Sequence, residues 1–160
     1  MVSVSSSGGT GPSRRRIVAG LGLVLLVVAC WGILGVIDLI RRDQAAAQLL
    51  AAIERTPAGG VVDVATAYDL PWDRAVVVGP YWNGDAANAA LGFDHFPPDA
   101  APTTGENASL LLIVRSQTVL SEIRPWEAEA FFEEGVEQFT PEDGRFGVHR
   151  ENGWATLAPE

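Results

Sequence analysis

Apolar and polar positions along this chain change rhythm several times, and each rhythm predicts a different element. Ile17 to Ile37 run for twenty-one positions without a charge, between Arg14-Arg15-Arg16 and Arg41-Arg42. At about 1.5 Å of rise per helical residue the run reaches roughly 30 Å, the thickness of a bilayer's hydrocarbon core. It predicts a transmembrane helix over 17–40. Asp43 to Arg55 (DQAAAQLLAAIER) follows with good helix formers and places Leu49, Leu50 and Ile53 on one stripe. This predicts a helical stalk and linker over 41–60, stopped by Thr56-Pro57 and Gly59-Gly60.

From Val61 the pattern becomes that of a small mixed domain. Val61 to Ala67 reads as a strand or an approach loop, and Tyr68 to Arg74 (YDLPWDR) as turn-rich chain. Ala75 to Val78 is a strand of the buried type, ended by Gly79-Pro80. Asp85 to Leu91 (DAANAAL) predicts a short helix with Asp85 as its N-cap and Gly92 just past its end. Phe93 to Glu106 holds three prolines and reads as an exposed loop. Leu110 to Val114 is an unbroken apolar run; a turn at Ser116-Gln117 returns the chain as Thr118 to Ile123, making a hairpin.

Pro125 opens a predicted second helix over Trp126 to Glu134, with Gly135 at its end. Thr140 to Gly144 is a turn. Arg145 to Arg150 and Trp154 to Leu157 flank Asn152-Gly153, a strong hairpin dipeptide. The fold class expected is α+β. A single N-terminal transmembrane helix precedes a small, mostly antiparallel sheet, covered on one face, with two short helices. The expected domains are a disordered cytoplasmic tail over 1–16, the membrane helix over 17–40, the stalk over 41–60 and the α+β domain over 61–160.

Charge sharpens this division. Six of the eleven arginines lie at or before Arg55, and there is no lysine. From Thr56 onward seventeen acidic residues face five arginines, a formal balance of −12. Such a domain repels nucleic acid and suits cationic partners. The arginines before the apolar run place the N-terminus in the cytoplasm and the C-terminal domain outside. The only cysteine, Cys30, lies within the apolar run, so the domain has no disulfide. Val27-Val28-Ala29-Cys30 resembles a lipobox, and lipidation at Cys30 after removal of a leader is the alternative to an uncleaved helix.

Candidate chemistry is sparse. His95 follows Asp94 in the proline-rich loop with no third ligand spaced to complete a metal site, and His149 lies in the last hairpin. Ser109, Ser116 and Ser121 lie outside any nucleophile-elbow pattern. The adjacent carboxylates Glu133-Glu134 and Glu142-Asp143 fall on the predicted helix surface and in a turn. Asn107-Ala108-Ser109 matches a glycosylation triplet by pattern alone. These observations predict no catalytic residues, no metal and no cofactor. A cation-binding sensor or carrier, and a hydrolase built around Asp94 and His95, remain the alternatives.

The most individual stretch is Pro71-Trp72-Asp73-Arg74, the strand from Ala75, and then Gly79-Pro80-Tyr81-Trp82. One reading is structural: Trp72 caps the core, Asp73 bonds turn amides, Arg74 pairs with an acid and Gly79-Pro80 turns the chain. The other is functional: Trp72, Arg74, Tyr81 and Trp82 line an aromatic groove for a protein partner, these being the residue types of interface hot spots.

Trp72-Asp73-Arg74, the valine-rich strand, Gly79-Pro80-Tyr81 and the helix ending Leu91-Gly92-Phe93 resemble a group of small, uncharacterised bacterial membrane-anchored envelope proteins. The likeness covers roughly Leu70 to Val119. It implies an anchored envelope domain and supplies no catalytic residues. The expected function is therefore a non-enzymatic, membrane-anchored extracytoplasmic domain that binds another envelope protein.

Overall fold

A computed structural model describes residues 14–103 and 109–160, with side chains from Trp31 onward. The chain divides into two compact units after Leu39. Helix α1 (Arg14–Arg55) is continuous through that boundary. In the first unit, every described side chain from Trp31 to Leu39 is exposed.

The expected transmembrane helix is corrected here. Among the described residues no helix is long and apolar enough to cross a membrane. The side chains of residues 17–30, on which most of that expectation rested, lie outside the described residues, as does the 1–13 portion of the expected tail. The helix also does not stop at the edge of the apolar run: it continues through Asp38, Arg41, Arg42 and Asp43 into the second unit.

There the residues expected to form a stalk belong to the core. Ala45, Leu49 and Ile53, four residues apart on one face of α1, are almost wholly buried. Thr56-Pro57 ends the helix as expected. The freed carbonyls are capped from far along the chain: the Arg150 side chain donates to Ile53 O and Glu54 O at 2.9 Å and to Thr56 O at 3.1 Å. A cation at a helix C-terminus satisfies orphan carbonyls and complements the helix dipole.

The remaining elements are β1 (Val61–Asp63), α2 (Val64–Ala67), β2 (Arg74–Val78), α3 (Gly84–Leu91), β3 (Leu110–Arg115), β4 (Thr118–Ile123), a 3₁₀ turn (Pro125–Ala128), β5 (Ala130–Phe132), β6 (Gln138–Phe139), β7 (Arg145–Glu151) and β8 (Trp154–Pro159). They build two four-stranded sheets, ordered β1-β7-β8-β5 and β4-β3-β2-β6, where one sheet was expected. Ladders are antiparallel except β5 with β8. The Asn152-Gly153 turn has the two positive φ values (52° and 89°) that such a hairpin requires.

One core is shared by both sheets and α1. Its aromatic part joins Phe132 (β5), Phe139 (β6) and Phe146 (β7), with ring centroids 4.8 to 5.9 Å apart. A second, outer core lies under α3, where Ala87 and Leu91 cover Val76, Val78, Leu110, Leu112 and Val114. Strands β2 and β3 are thus buried on both faces, not on one. That is why their sequences are continuous apolar runs instead of alternating ones.

The second expected helix is also corrected. Pro125 does open a helical turn, but it lasts only to Ala128; Glu129 is left-handed (φ 50°) and the chain then extends as β5. Pairing with β8 overrides the helix propensity of this segment. Ala155 N–H donates to Glu129 O, and Glu133 N–H to Leu157 O, at 2.8 and 2.9 Å. Extension also drives Ala130 and Phe132 into the shared core. In α3 the helix starts one residue earlier than expected, because Asn83 rather than Asp85 caps it, through Ala86 N–H at 2.9 Å.

Docking of α1 can be measured directly. Leu49→Ala is expected to lower the unfolding free energy by about 2–5 kcal/mol, whereas Leu39→Ala, on the exposed stretch, leaves it within about 0.5 kcal/mol. Equal effects in chemical denaturation would show that α1 is not part of the core.

Candidate functional site

The Pro71–Arg74 turn leads into β2 and is held from three directions. Trp72 is buried in the shared core, edge-on to Phe139 with ring centroids 6.0 Å apart. Asp73 N–H donates to Val114 O at 2.9 Å, and Asp73 Oδ2 accepts from Ser116 N–H at 2.5 Å. That carboxylate steadies the β3–β4 turn, where Ser116 is left-handed (φ 56°). Arg74, on the opposite face from Trp72, donates to Leu91 O at the end of α3. Its partner is a helix C-terminal carbonyl, not the acid that was expected, and its Nε is shielded from solvent with no partner among the described residues.

Gly79-Pro80-Tyr81-Trp82 lies at the other end of β2. Five strand residues at about 3.3 Å each set the two ends some 16 Å apart. Trp82 is half-buried against the outer core. A Cβ on Gly79 would lie 3.3 Å from Trp82 Nε1, so the bare backbone of Gly79 makes room for the indole. Tyr81 is 77 % exposed with φ at 68°. The structure therefore does not bring Trp72, Arg74, Tyr81 and Trp82 into one groove. The first two hold the fold at one end of β2; the last two lie at the other.

A cleft of about 220 Å³ opens beside Trp82. One wall is Val77, Gly79, Pro80 and Ser109; the other is the turn from Phe132 to Glu137 that carries the chain from β5 to β6. Gly135 has φ of 93° and makes this turn possible. Glu133, Glu134 and Glu137 are exposed on it, and no ion pair or hydrogen bond holds their side chains among the described residues. Ser109 is 7 % exposed, and its Oγ has no hydrogen-bond partner among the described residues. Beyond the turn, Glu133 and Glu134 also border a hollow of about 340 Å³ with Asp143, Phe146 and Pro159. Among the described residues neither space is lined by a basic residue.

The other candidates sit apart from this cleft. Asn88 on α3 organises the loop that follows: its Oδ1 accepts from His95 N–H and Phe96 N–H at 2.9 Å, and its Nδ2 donates to Phe96 O at 2.8 Å. His95 Nε2 lies 3.0 Å from Glu122 Oε1, and its ring packs edge-on against Phe96. Asp94 is exposed and shares no hydrogen bond with His95. His149 is exposed on β7. Ser121 Oγ is 2.7 Å from Tyr68 OH, a hydroxyl pair that satisfies a fully buried tyrosine. Among the described residues, no group of three or more His, Cys, Asp or Glu is placed to hold a metal ion. The Cys30 side chain lies outside the described residues.

No family model, curated protein or solved structure matches this chain. Nothing in these comparisons supports the resemblance of Leu70–Val119 to small envelope proteins.

Sequence reasoning missed Ser109 and the Glu133–Glu137 turn as site residues. The turn was hidden by the helix expected over Trp126–Glu134. No local signal marked it: Ala130-Phe131-Phe132 is an unbroken apolar run in the sequence, and its alternating burial comes from the packed structure.

The two ends of β2 should respond differently to truncation. Trp72→Ala is expected to destabilise the chain by about 3–5 kcal/mol, and Tyr81→Ala to change it by no more than about 0.5 kcal/mol. Tyr81→Gly, which relieves the left-handed backbone, should hold stability or raise it. Chemical denaturation of the three variants decides this; a large loss at Tyr81 would make it a structural residue.

Proposed function

We propose that this protein is a non-enzymatic binding domain held at a lipid surface. Residues Trp31 to Ile40 of α1 contact lipid, and the unit from Ile40 to Glu160 binds another protein at that surface. The observation that carries this reading is the exposure of Trp31, Ile33, Leu34, Val36, Ile37, Leu39 and Ile40, each between 42 % and 77 %.

At about 100° per residue these seven side chains fall on all sides of the helix. A protein groove covers one face of a helix and would leave the rest in water. Lipid covers every side at once. Leaving a large apolar side chain in water costs roughly 1.5–3 kcal/mol, so seven together supply on the order of 10 kcal/mol or more toward association. Arg41 and Arg42 follow at once in sequence, where cations favour headgroup phosphates. The reading assigns lipid contact to this stretch and no crossing of the bilayer. The binding role of the folded unit is supported by the cleft beside Trp82 and the exposed carboxylates of the turn that borders it.

Flotation with phosphatidylcholine vesicles tests the attachment. The full chain should rise with the lipid, and Ile33→Asp combined with Val36→Asp and Ile37→Asp should leave most of it in the dense fractions. A wild-type chain that stays folded, monodisperse and lipid-free would sink the reading.

A further inference from the structure

Helix α3 covers only part of the sheet beneath it, since its eight residues span about 12 Å. Beside its C-terminal end a hollow of about 600 Å³ remains, walled by Arg74, Phe93, Ser116, Gln117 and Gln138. Strand alternation puts Arg74 on the same outer face as Val76 and Val78, and Gln138 stands opposite Val76 on β6. Arg74 is the one charged residue that lines the hollow among the described residues. This sets it apart from the cleft beside Trp82 and the hollow at Asp143, which are edged by carboxylates.

The Arg74 guanidinium is half-buried and has no counterion among the described residues. Its Nη2 donates to Leu91 O, and its Nε is shielded. Its Nη1 is not shielded and makes no hydrogen bond among the described residues. Asp73, next in the chain, directs its carboxylate to Ser116 N–H instead. Charges drawn out of water are ordinarily paired. The C-terminal end of a helix offsets about half a unit charge, so positive charge remains at the wall of the hollow. The enclosed Nε takes no part in binding. Its packing and the bond to Leu91 O hold the group in place, so Nη1 is presented without a further ordering cost.

An anion completes the pairing. The formal balance of −12 from Thr56 onward disfavours a dianion, and one guanidinium matches one carboxylate. Ser116, Gln117 and Gln138 are exposed and supply neutral donors around it. Phe93, half-buried, supplies an apolar wall for the rest of a ligand. The volume lies within the roughly 300–1,000 Å³ of small-molecule sites.

We propose that this hollow binds a small organic monocarboxylate. The carboxylate accepts from Arg74 Nη1 and from the Gln117 and Gln138 amides, and its apolar body lies against Phe93. The site is at the opposite end of β2 from the cleft beside Trp82. It goes beyond the protein-binding reading and depends neither on that reading nor on lipid contact.

The test uses the full chain, isotope-labelled, in uncharged detergent micelles, and follows the Nε–H signals of its eleven arginines by NMR. Arg74→Lys identifies the Arg74 signal by its loss. Benzoate should shift that signal saturably at roughly millimolar concentration, the affinity expected of so small a ligand. Benzamide, nearly equal in shape and uncharged, should bind at least about tenfold more weakly. Gln117→Ala with Gln138→Ala, both at exposed positions, should weaken benzoate binding about threefold to tenfold while the Arg74 signal of the ligand-free chain persists. Equal binding of benzamide, no shift at several tens of millimolar benzoate, or no effect of the paired Ala substitutions would each overturn the proposal. So would tighter binding of inorganic phosphate, which would make this a phosphate site. An Ala-Ala-Phe peptide with a free C-terminus that binds tenfold more tightly than benzoate would overturn it too, in favour of docking by a chain terminus.

Discussion

The shared core of the folded unit is closed by the last three turns of α1. A helix this close to an apolar, solvent-exposed stretch needs a reason to stay with the domain, and the reason is burial. Ala45, Leu49 and Ile53 fill space that neither sheet closes alone, since the inner faces of both contribute to the same cluster. Arg150 then satisfies three carbonyls at the helix end that would otherwise be left bare. This links position 53 to position 150, so the helix and the final hairpin depend on each other. Strand β1 is drawn in by the same closure: Gly59 N–H donates to Val148 O and Val148 N–H to Gly60 O, which sets the register in which β1 meets β7.

A domain of this size has little apolar material to spare. It compensates by burying two strands on both faces. β2 and β3 receive the shared core on one side and α3 on the other. α3 itself contributes small side chains, Ala87 and the partly buried Ala90, besides Leu91 and its bare N-terminal glycine, so it must lie close. Gly84 makes that approach possible, since a Cβ there would fall 1.9 Å from Pro97 O. The proline-rich loop is consequently packed against the helix instead of hanging free, and Asn88 fixes its middle with three hydrogen bonds.

Local signals in the sequence were readable where local chemistry decides the outcome. Thr56-Pro57 stops α1, Gly92 ends α3 in a left-handed cap, and Asn152-Gly153 makes the last hairpin. Long-range pairing was not readable. Nothing local in Trp126–Glu134 says that β8 waits in parallel register for Ala130 to Phe132; propensity favours helix, and the ladder wins. The number of sheets was lost for the same reason, because β5 and β6 exist only through their partners. The membrane expectation over 17–40 came from hydropathy alone. It is overturned for the described residues, among which no helix is long and apolar enough to cross a membrane and the later turns of α1 bury Ala45, Leu49 and Ile53 in the core.

The site was half legible, and the misread helix explains the missing half. Trp72 and Trp82 are the same residue type ten positions apart, and composition cannot tell a core aromatic from a binding one. The separation comes from geometry: Trp72 is clamped by Phe139 and by the two hydrogen bonds of its neighbour Asp73, whereas Trp82 follows a left-handed Tyr81 at the open end of the strand. A non-glycine residue at positive φ persists only when its surroundings demand it. Tyr81 is largely exposed, so burial of its own side chain contributes little to holding the conformation. What the conformation does achieve is placement. It turns the chain sharply after Gly79-Pro80, so that Trp82 folds back over Gly79 and faces the acidic turn.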